Sequence, residues 1–117
     1  MDVKTSEALE ASIAKWERNA VVSEPEQYTF TSEDCPLCVL FLGGVKERCD
    51  GCPVKAKTGQ ASCDGTPYYP ALQAAQAWHW AVFEDGGHSA RTVALRDKAR
   101  AAAREEVEFL KSLREDN

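Results

Sequence analysis

The sequence predicts a mainly α-helical protein with about three helices and an irregular, metal-stapled cysteine lobe between the first and second helices. Apolar residues recur every three or four positions in three segments, and no strong strand-like alternation appears. All five cysteines lie in one stretch rich in glycine and proline. With 117 residues the chain forms a single domain. Its parts are an N-terminal helix with an acidic linker (1–34), the cysteine lobe (35–66) and a helical hairpin (67–117).

The first helix is predicted over residues 5–20, with Thr5 or Ser6 as its N-cap. The apolar residues on one face of this helix are Leu9, Ile13, Trp16 and Ala20. After residue 20 the helical period ends, and the segment through Asp34 is predicted to be a linker.

The charge of the chain restricts the classes of partner. The first 34 residues contain three basic and eight acidic residues, and the net charge of the whole chain is −5. This balance argues against a protein that coats nucleic acid or an anionic membrane through its overall charge. No apolar run approaches the roughly 20 residues that span a bilayer, and the N-terminus lacks the apolar core of a signal peptide. We therefore expect a cytoplasmic protein with no membrane partner; the odd number of cysteines also favours a reducing compartment, and the alternative is a secreted domain held by disulfides.

The second and third helices are predicted to form a hairpin. The second covers residues 67–83, with Thr66 as N-cap and Pro67 in the first helical position. The third is capped by Ser89 and runs to about Leu113. Their apolar faces carry Ala71, Ala75, Trp78 and Val82 in the second helix, and Leu95, Ala99, Ala102, Ala103, Val107, Leu110 and Leu113 in the third.

Two Cys-x-x-Cys pairs predict a metal site in the cysteine lobe. The pairs are Cys35 with Cys38 and Cys49 with Cys52, in the spacing Cys-x2-Cys-x10-Cys-x2-Cys. Four thiolates satisfy the tetrahedral preference of zinc and leave no open coordination position. We predict one structural zinc ion per chain, which folds a lobe with few apolar residues of its own.

The fifth cysteine, Cys63, leaves three alternatives open. It is a buried thiol that binds no metal, or it replaces one of the other four as a zinc ligand. In the third alternative it takes part in redox chemistry, as a resolving thiol or as a ligand of an iron–sulfur cluster. Cys52 followed by Pro53 resembles the Cys-Pro that closes some ferredoxin motifs, although the tight run of three ligands is absent.

The segments "CPLC…CDGCPVKAKTG…CDGTPY", an upstream "KW" and a downstream "EFLKSL" resemble a group of small cysteine-rich proteins of tailed bacteriophages and prophages. The resemblance is specific between Cys35 and Tyr68 and covers most of the chain in outline. It implies an intracellular protein made in a bacterial host cell, with all five cysteines as part of the pattern. It implies no particular activity.

Aromatic residues of the second helix are candidate contacts for a partner protein. Tyr68, Tyr69 and Trp80 are the candidates, because an exposed aromatic side chain is a common anchor in protein interfaces. Trp78 belongs to the apolar face and is predicted to lie in the core. For Trp80 we expect packing against the first helix through Trp16. The alternatives are that Trp80 covers the cysteine lobe or that it is exposed.

Arg96, Arg100 and Arg104 form a row along the third helix and are the candidate contacts to nucleic acid. The surrounding segment 91–104 carries five positive charges and one negative charge. A solvated helix face with no ligand is the commoner explanation of such a row.

The sequence contains no strong signature of an enzyme. It has no phosphate loop, nucleophile elbow or zinc-protease helix. Of the two histidines, His79 is expected to be at least half-buried, and His88 is a weak candidate for a substitute metal ligand. We therefore expect a protein without enzymatic activity.

These observations predict a zinc-stabilised, phage-type protein that binds a host or phage macromolecule, most simply a protein. Acidic surfaces fit the basic grooves of nucleic-acid-handling machines. Inhibition or retuning of such a host machine, and hence a role in host takeover, follows as a hypothesis. The alternatives are a zinc-ribbon-like protein that binds nucleic acid directly, and an iron–sulfur or thiol redox protein.

Overall fold

The computed structural model describes residues 3–29, 36–37, 52–58 and 66–114. Within these ranges the chain is helical and has no β-strand, which confirms the predicted mainly helical fold class. Three long helices are α1 (Val3–Asn19), α3 (Tyr68–Asp85) and α4 (Ala90–Lys111). Among the described residues between α1 and α3 are a 3-10 helix (Pro25–Gln27) and helix α2 (Pro53–Thr58), and residues 36–37 are also helical. The predicted cysteine lobe falls mostly outside the described residues.

The helix boundaries follow local capping chemistry, with small differences from the prediction. Helix α1 begins at Val3, and Thr5 is a buried residue within it, so the predicted cap at Thr5 or Ser6 is wrong. Helix α3 begins at Tyr68 with Pro67 in the N-cap position and no side-chain cap, so the predicted N-cap at Thr66 is wrong by one residue. The Tyr68 amide still donates to Thr66 Oγ1 at 3.2 Å. Ser89 caps α4 as predicted, because its hydroxyl accepts from the Thr92 amide at 3.0 Å.

Gly86 ends helix α3 and allows the sharp connection to α4. Its φ is 79°, in the left-handed region that glycine adopts without a steric penalty. The Gly86 amide donates to the Val82 carbonyl at 2.9 Å, and the Gly86 carbonyl accepts from the Thr92 hydroxyl at 2.8 Å. Both helix ends are therefore fixed at this turn.

Helix α4 is the central element, because it packs against both α1 and α3. Small side chains on α3 and α4 let the two backbones approach closely. The buried alanines are Ala71, Ala74, Ala75 and Ala81 on α3, and Ala99, Ala102 and Ala103 on α4. Larger apolar side chains, including Leu9, Ile13 and Leu110, fill the rest of the core.

The linker after α1 contributes a residue to the centre of the core. Tyr28 is 3% exposed, and its ring meets Trp16 and Trp78 edge to face at centroid distances of 5.8 and 6.4 Å. Its hydroxyl donates to the Ala99 carbonyl at 2.9 Å. Burial, with a smaller contribution from the charge of Glu106, raises the pKa of this phenol. The linker is therefore part of the packed structure.

Two charged residues, Lys15 on α1 and Glu106 on α4, are also buried. Lys15 Nζ lies 5.2 Å from the centroid of the Trp16 ring, a distance that allows a cation–π interaction.

Within the described ranges, no helix combines the length and hydropathy that a bilayer crossing requires.

Candidate functional site

Two large aromatic side chains of α3 lie open to solvent. Trp80 is 59% exposed and Phe83 is 78% exposed. Their rings meet edge to face at 5.9 Å, and the His79 ring meets Trp80 in the same way at 6.2 Å. Exposure of apolar rings to water is unfavourable, and exposed apolar patches on small proteins commonly mark interaction surfaces.

A groove lies beside these rings, between α3 and the 3-10 helix. It is open to solvent, has a volume of about 450 Å³, and is lined by Pro25, Ala75, Gln76, Ala77, His79 and Trp80. This volume is at the lower end of the range found for ligand sites, which is about 300–1,000 Å³. The groove can therefore accept one or two side chains of a partner.

Long-range hydrogen bonds hold the linker that forms one wall of this groove. Asn19, at the end of α1, donates to the Thr29 carbonyl at 2.7 Å and accepts from the Thr29 amide at 2.9 Å. Arg100 Nε on α4 donates to the Val22 carbonyl at 2.8 Å. With Tyr28 bonded to α4, the Pro25 wall is fixed on both sides, which reduces the entropy cost of binding a ligand.

Pro25, which lines the groove, has an acidic neighbour on each side in the sequence. These neighbours, Glu24 and Glu26, are both exposed. At the C-terminal end of α3, the Arg91 guanidinium bonds to Asp85 at 3.1 Å and to Glu84 at 3.4 Å. These hydrogen bonds raise the pKa of Arg91 and balance much of the acidic charge there.

The three aromatic residues proposed from sequence do not form one site. Trp80 is exposed beside the groove, and the expected packing of this residue against Trp16 is wrong. Tyr68 instead contacts Trp16, edge to face at 6.2 Å, and Tyr69 contacts Tyr68 at 5.2 Å. Both tyrosines are half-buried at the other end of α3, roughly 17 Å from Trp80 along the helix axis.

The arginine row on α4 is partly committed to contacts within the protein. Arg100 holds the Val22 carbonyl and is half-buried. Arg96 bonds to the neighbouring Asp97 at 3.1 Å, and Arg104 is exposed. The row therefore presents less free positive charge than its spacing indicates.

Of the predicted metal ligands, only Cys52 lies within the described residues. It is 5% exposed and directly precedes α2, whose Val54 is also buried. Cys35, Cys38, Cys49 and Cys63 lie outside the described ranges. Among the residues that are described, no three histidine, cysteine or acidic side chains come together as a metal site. The zinc site stays a prediction from the sequence.

Both histidines are exposed. His79 was expected to be at least half-buried, but it lies on the solvent side of α3 and lines the groove. His88 is exposed in the turn before α4. The α3 period placed His79 beside the apolar face, but no other described element covers this part of the helix.

The sequence did not single out Pro25, Gln76 and Ala77 of the groove, nor Phe83 beside it. Phe83 follows Trp80 by three positions, a spacing that brings side chains together on a helix, so this pair was detectable. Pro25 lies in an aperiodic linker, and no local pattern indicates that it faces α3.

Comparisons of this chain with protein-family models, with curated proteins and with solved structures return no match. The arguments for its function therefore come from its own residues.

Proposed function

We propose that this protein binds a segment of another protein in the groove between the 3-10 helix and α3. The supporting observation is the exposed pair Trp80 and Phe83, next to a groove with a fixed wall. Tryptophan and other aromatic residues are enriched among the side chains that dominate binding energy in protein interfaces. In this proposal the groove receives side chains of the partner and Phe83 adds contact area beside it.

The partner is proposed to be a host or phage protein in the bacterial cytoplasm. The support is the resemblance of the cysteine segment to small phage proteins, together with the negative charge of the chain. An acidic binding protein can occupy a basic groove on a nucleic-acid-handling machine and thereby inhibit or retune it.

The test is quantitative affinity capture from a bacterial lysate, using the full chain. Trp80→Ala and Phe83→Ala are compared with Val3→Ala, a matched control because Val3 is an apolar residue of α1 with 73% exposure. We expect specific proteins that are captured by the wild type and the control but lost with both α3 variants. Capture that is the same for all four proteins would contradict the proposal.

A structural zinc ion is a second part of the proposal. Its support is the pair of Cys-x-x-Cys motifs and the burial of Cys52 beside α2. The zinc would hold together the segment between the linker and α3. It would have no role in catalysis, because four thiolates leave no open coordination position.

Metal analysis of anaerobically purified protein tests this part. We expect one zinc per chain, no visible absorption band, and loss of zinc in Cys52→Ser. Retention of zinc in Cys63→Ser would identify Cys63 as a thiol outside the metal site. Iron and sulfide with a brown colour that disappears in Cys63→Ser would replace zinc by an iron–sulfur cluster.

Direct binding of nucleic acid is the weaker alternative. It relies on Arg96, Arg100 and Arg104, and two of these already bond within the chain. This alternative predicts an affinity for nucleic acid that falls steeply with salt, whereas the groove proposal predicts little binding even at low salt.

A further inference from the structure

We propose that the groove selects a short segment that carries arginine or lysine next to an apolar side chain. This inference rests on the proposed function and adds the chemistry of the partner. The cation would lie over the exposed Trp80 ring and within reach of Glu24 and Glu26, and the apolar side chain would enter the groove. The supporting juxtaposition is an exposed indole beside a groove wall formed by Pro25, which is preceded and followed in the sequence by an exposed glutamate.

The indole ring is the first element of this site. Tryptophan is the aromatic residue that attracts cations most strongly, through the negative face of its ring. At 59% exposure, Trp80 presents much of its ring to a ligand. Arginine fits such a surface well, because its planar guanidinium stacks on aromatic rings and is weakly hydrated.

The two glutamates on the linker are the second element. Within the described part of the chain, no lysine or arginine forms an ion pair with Glu24 or Glu26. By contrast, Glu84 and Asp85 at the end of α3 share Arg91. The carboxylates next to Pro25 are therefore available to a cation from outside, whereas those at the end of α3 are already engaged.

The groove itself accounts for the apolar part of the ligand. Pro25, Ala75 and Ala77 give it apolar walls, and Gln76 adds a polar amide. A leucine-sized side chain that enters the groove removes apolar surface from water, which favours binding. A groove volume of about 450 Å³ suits a short extended segment better than a large domain surface.

A second copy of this chain is a less suitable occupant. Each copy has a net charge of −5 and carries the same two glutamates next to its groove. Groove-to-groove packing would bring these like charges together at the interface, which is unfavourable. The observations therefore favour a partner of opposite charge.

The experiment uses the full chain labelled with fluorotryptophan and followed by fluorine NMR. The chain has three tryptophans, of which Trp16 and Trp78 are buried and Trp80 is exposed, so the spectrum reports separately on the groove and the core. Trp80→Phe assigns the exposed resonance. The probes are three capped peptides with alternating leucine and arginine, leucine and citrulline, or leucine and glutamate. Citrulline keeps the shape of arginine but has no charge.

We expect the arginine peptide to shift the Trp80 resonance in a saturable manner and to leave the two buried resonances in place. Replacement of arginine by citrulline should weaken binding about tenfold, and added salt should weaken binding of the arginine peptide. Glu24→Gln with Glu26→Gln should reduce the affinity for arginine several-fold, and Glu7→Gln, an exposed control on α1, should not. Trp80→Leu keeps an apolar side chain but removes the reporting ring, so its peptide affinities are measured by isothermal titration calorimetry, and it should lose the preference for arginine over citrulline.

Equal affinity for the three peptides would overturn the inference. So would an affinity for the arginine peptide that changes neither with added salt nor in the variant with Glu24→Gln and Glu26→Gln. So would a Trp80 shift that depends on protein concentration without peptide, because that result indicates a second copy as the occupant. A failure of this inference can be distinguished from a failure of the proposed function. If lysate capture depends on Trp80 and Phe83 but not on the two glutamates, protein binding stands and the cationic partner is wrong.

Discussion

Trp78 and Trp80 lie two residues apart on helix α3, yet Trp78 is 1% exposed and Trp80 is 59% exposed. Trp78 meets the ring of Tyr28 in the core, whereas Trp80 meets His79 and Phe83 on the solvent side. The same residue type on one helix thus stabilises the fold in one position and is available for recognition in the other. We therefore expect mutations to separate stability from the proposed binding.

The largest expected effect comes from Trp78→Ala, which leaves a large cavity between α3 and the linker. We expect a loss of about 3–5 kcal/mol in the free energy of unfolding. Trp80→Ala removes no buried contact in the described structure and should change this free energy by no more than about 0.5 kcal/mol. Urea unfolding followed by circular dichroism measures both. Similar losses for the two variants would show that Trp80 is also part of the core.

Tyr28→Phe is expected to have an intermediate effect, because it removes one buried hydrogen bond and keeps the ring contacts. The hydroxyl bond to the Ala99 carbonyl should contribute about 1 kcal/mol. Urea unfolding at neutral pH measures this loss. The variant tests whether Tyr28 of the linker, like Trp78, belongs to the core that stabilises the fold.

The pH dependence of Tyr28 sharpens the same point. Its pKa in the folded protein lies above the ordinary value of 10.0, so the folded state holds the phenolic proton more tightly. This stabilisation is complete below pH 10 and is lost as the pH rises above that value. The alkaline loss of stability should be smaller in Tyr28→Phe. Tyrosinate absorbance that shows Tyr28 ionising near pH 10 in the folded protein would contradict its burial.

The smallest effect is expected at the exposed ion pair between Glu10 and Arg114, where Arg114 Nε donates to Glu10 Oε2 at 2.8 Å. The hydrogen bond and charge of Arg114 lower the pKa of Glu10, so the contribution is present above pH 4.5 and is lost as the pH falls. Glu10→Gln should lower the urea midpoint slightly at low salt and not at high salt. A loss of stability as large as that of Tyr28→Phe would show that this surface ion pair contributes as much as a buried hydrogen bond.

The sequence was sufficient for those parts of the fold that repeat with the helical period. The three long helices, the Ser89 cap and the burial of Trp78 follow from spacing and local chemistry. The core position of Tyr28 did not, because the linker has no period and its partners Trp78 and Ala99 are distant in sequence. The helical period shows which residues share one face of a helix, but tertiary packing decides which faces are buried.

The candidate site was predicted only in part for the same reason. Trp80 was named as a candidate, but its exposure depends on where α1 and the linker lie. Arg100 belonged to a regular row, and nothing in that row indicates that its side chain holds the Val22 carbonyl. The zinc prediction depends on ligand spacing alone and still awaits metal analysis.

The hydrogen bonds that fix the groove wall also determine when the groove can form. Tyr28 bonds to a residue 71 positions later in the chain, and Val22 to one 78 positions later. Contacts over such separations form only after the intervening chain is available to close the loop. During synthesis on the ribosome, the first residues of the groove emerge early but remain without their fixed geometry until α4 has been made. A truncated chain that ends before α4 would therefore expose Trp80 without presenting a formed binding groove.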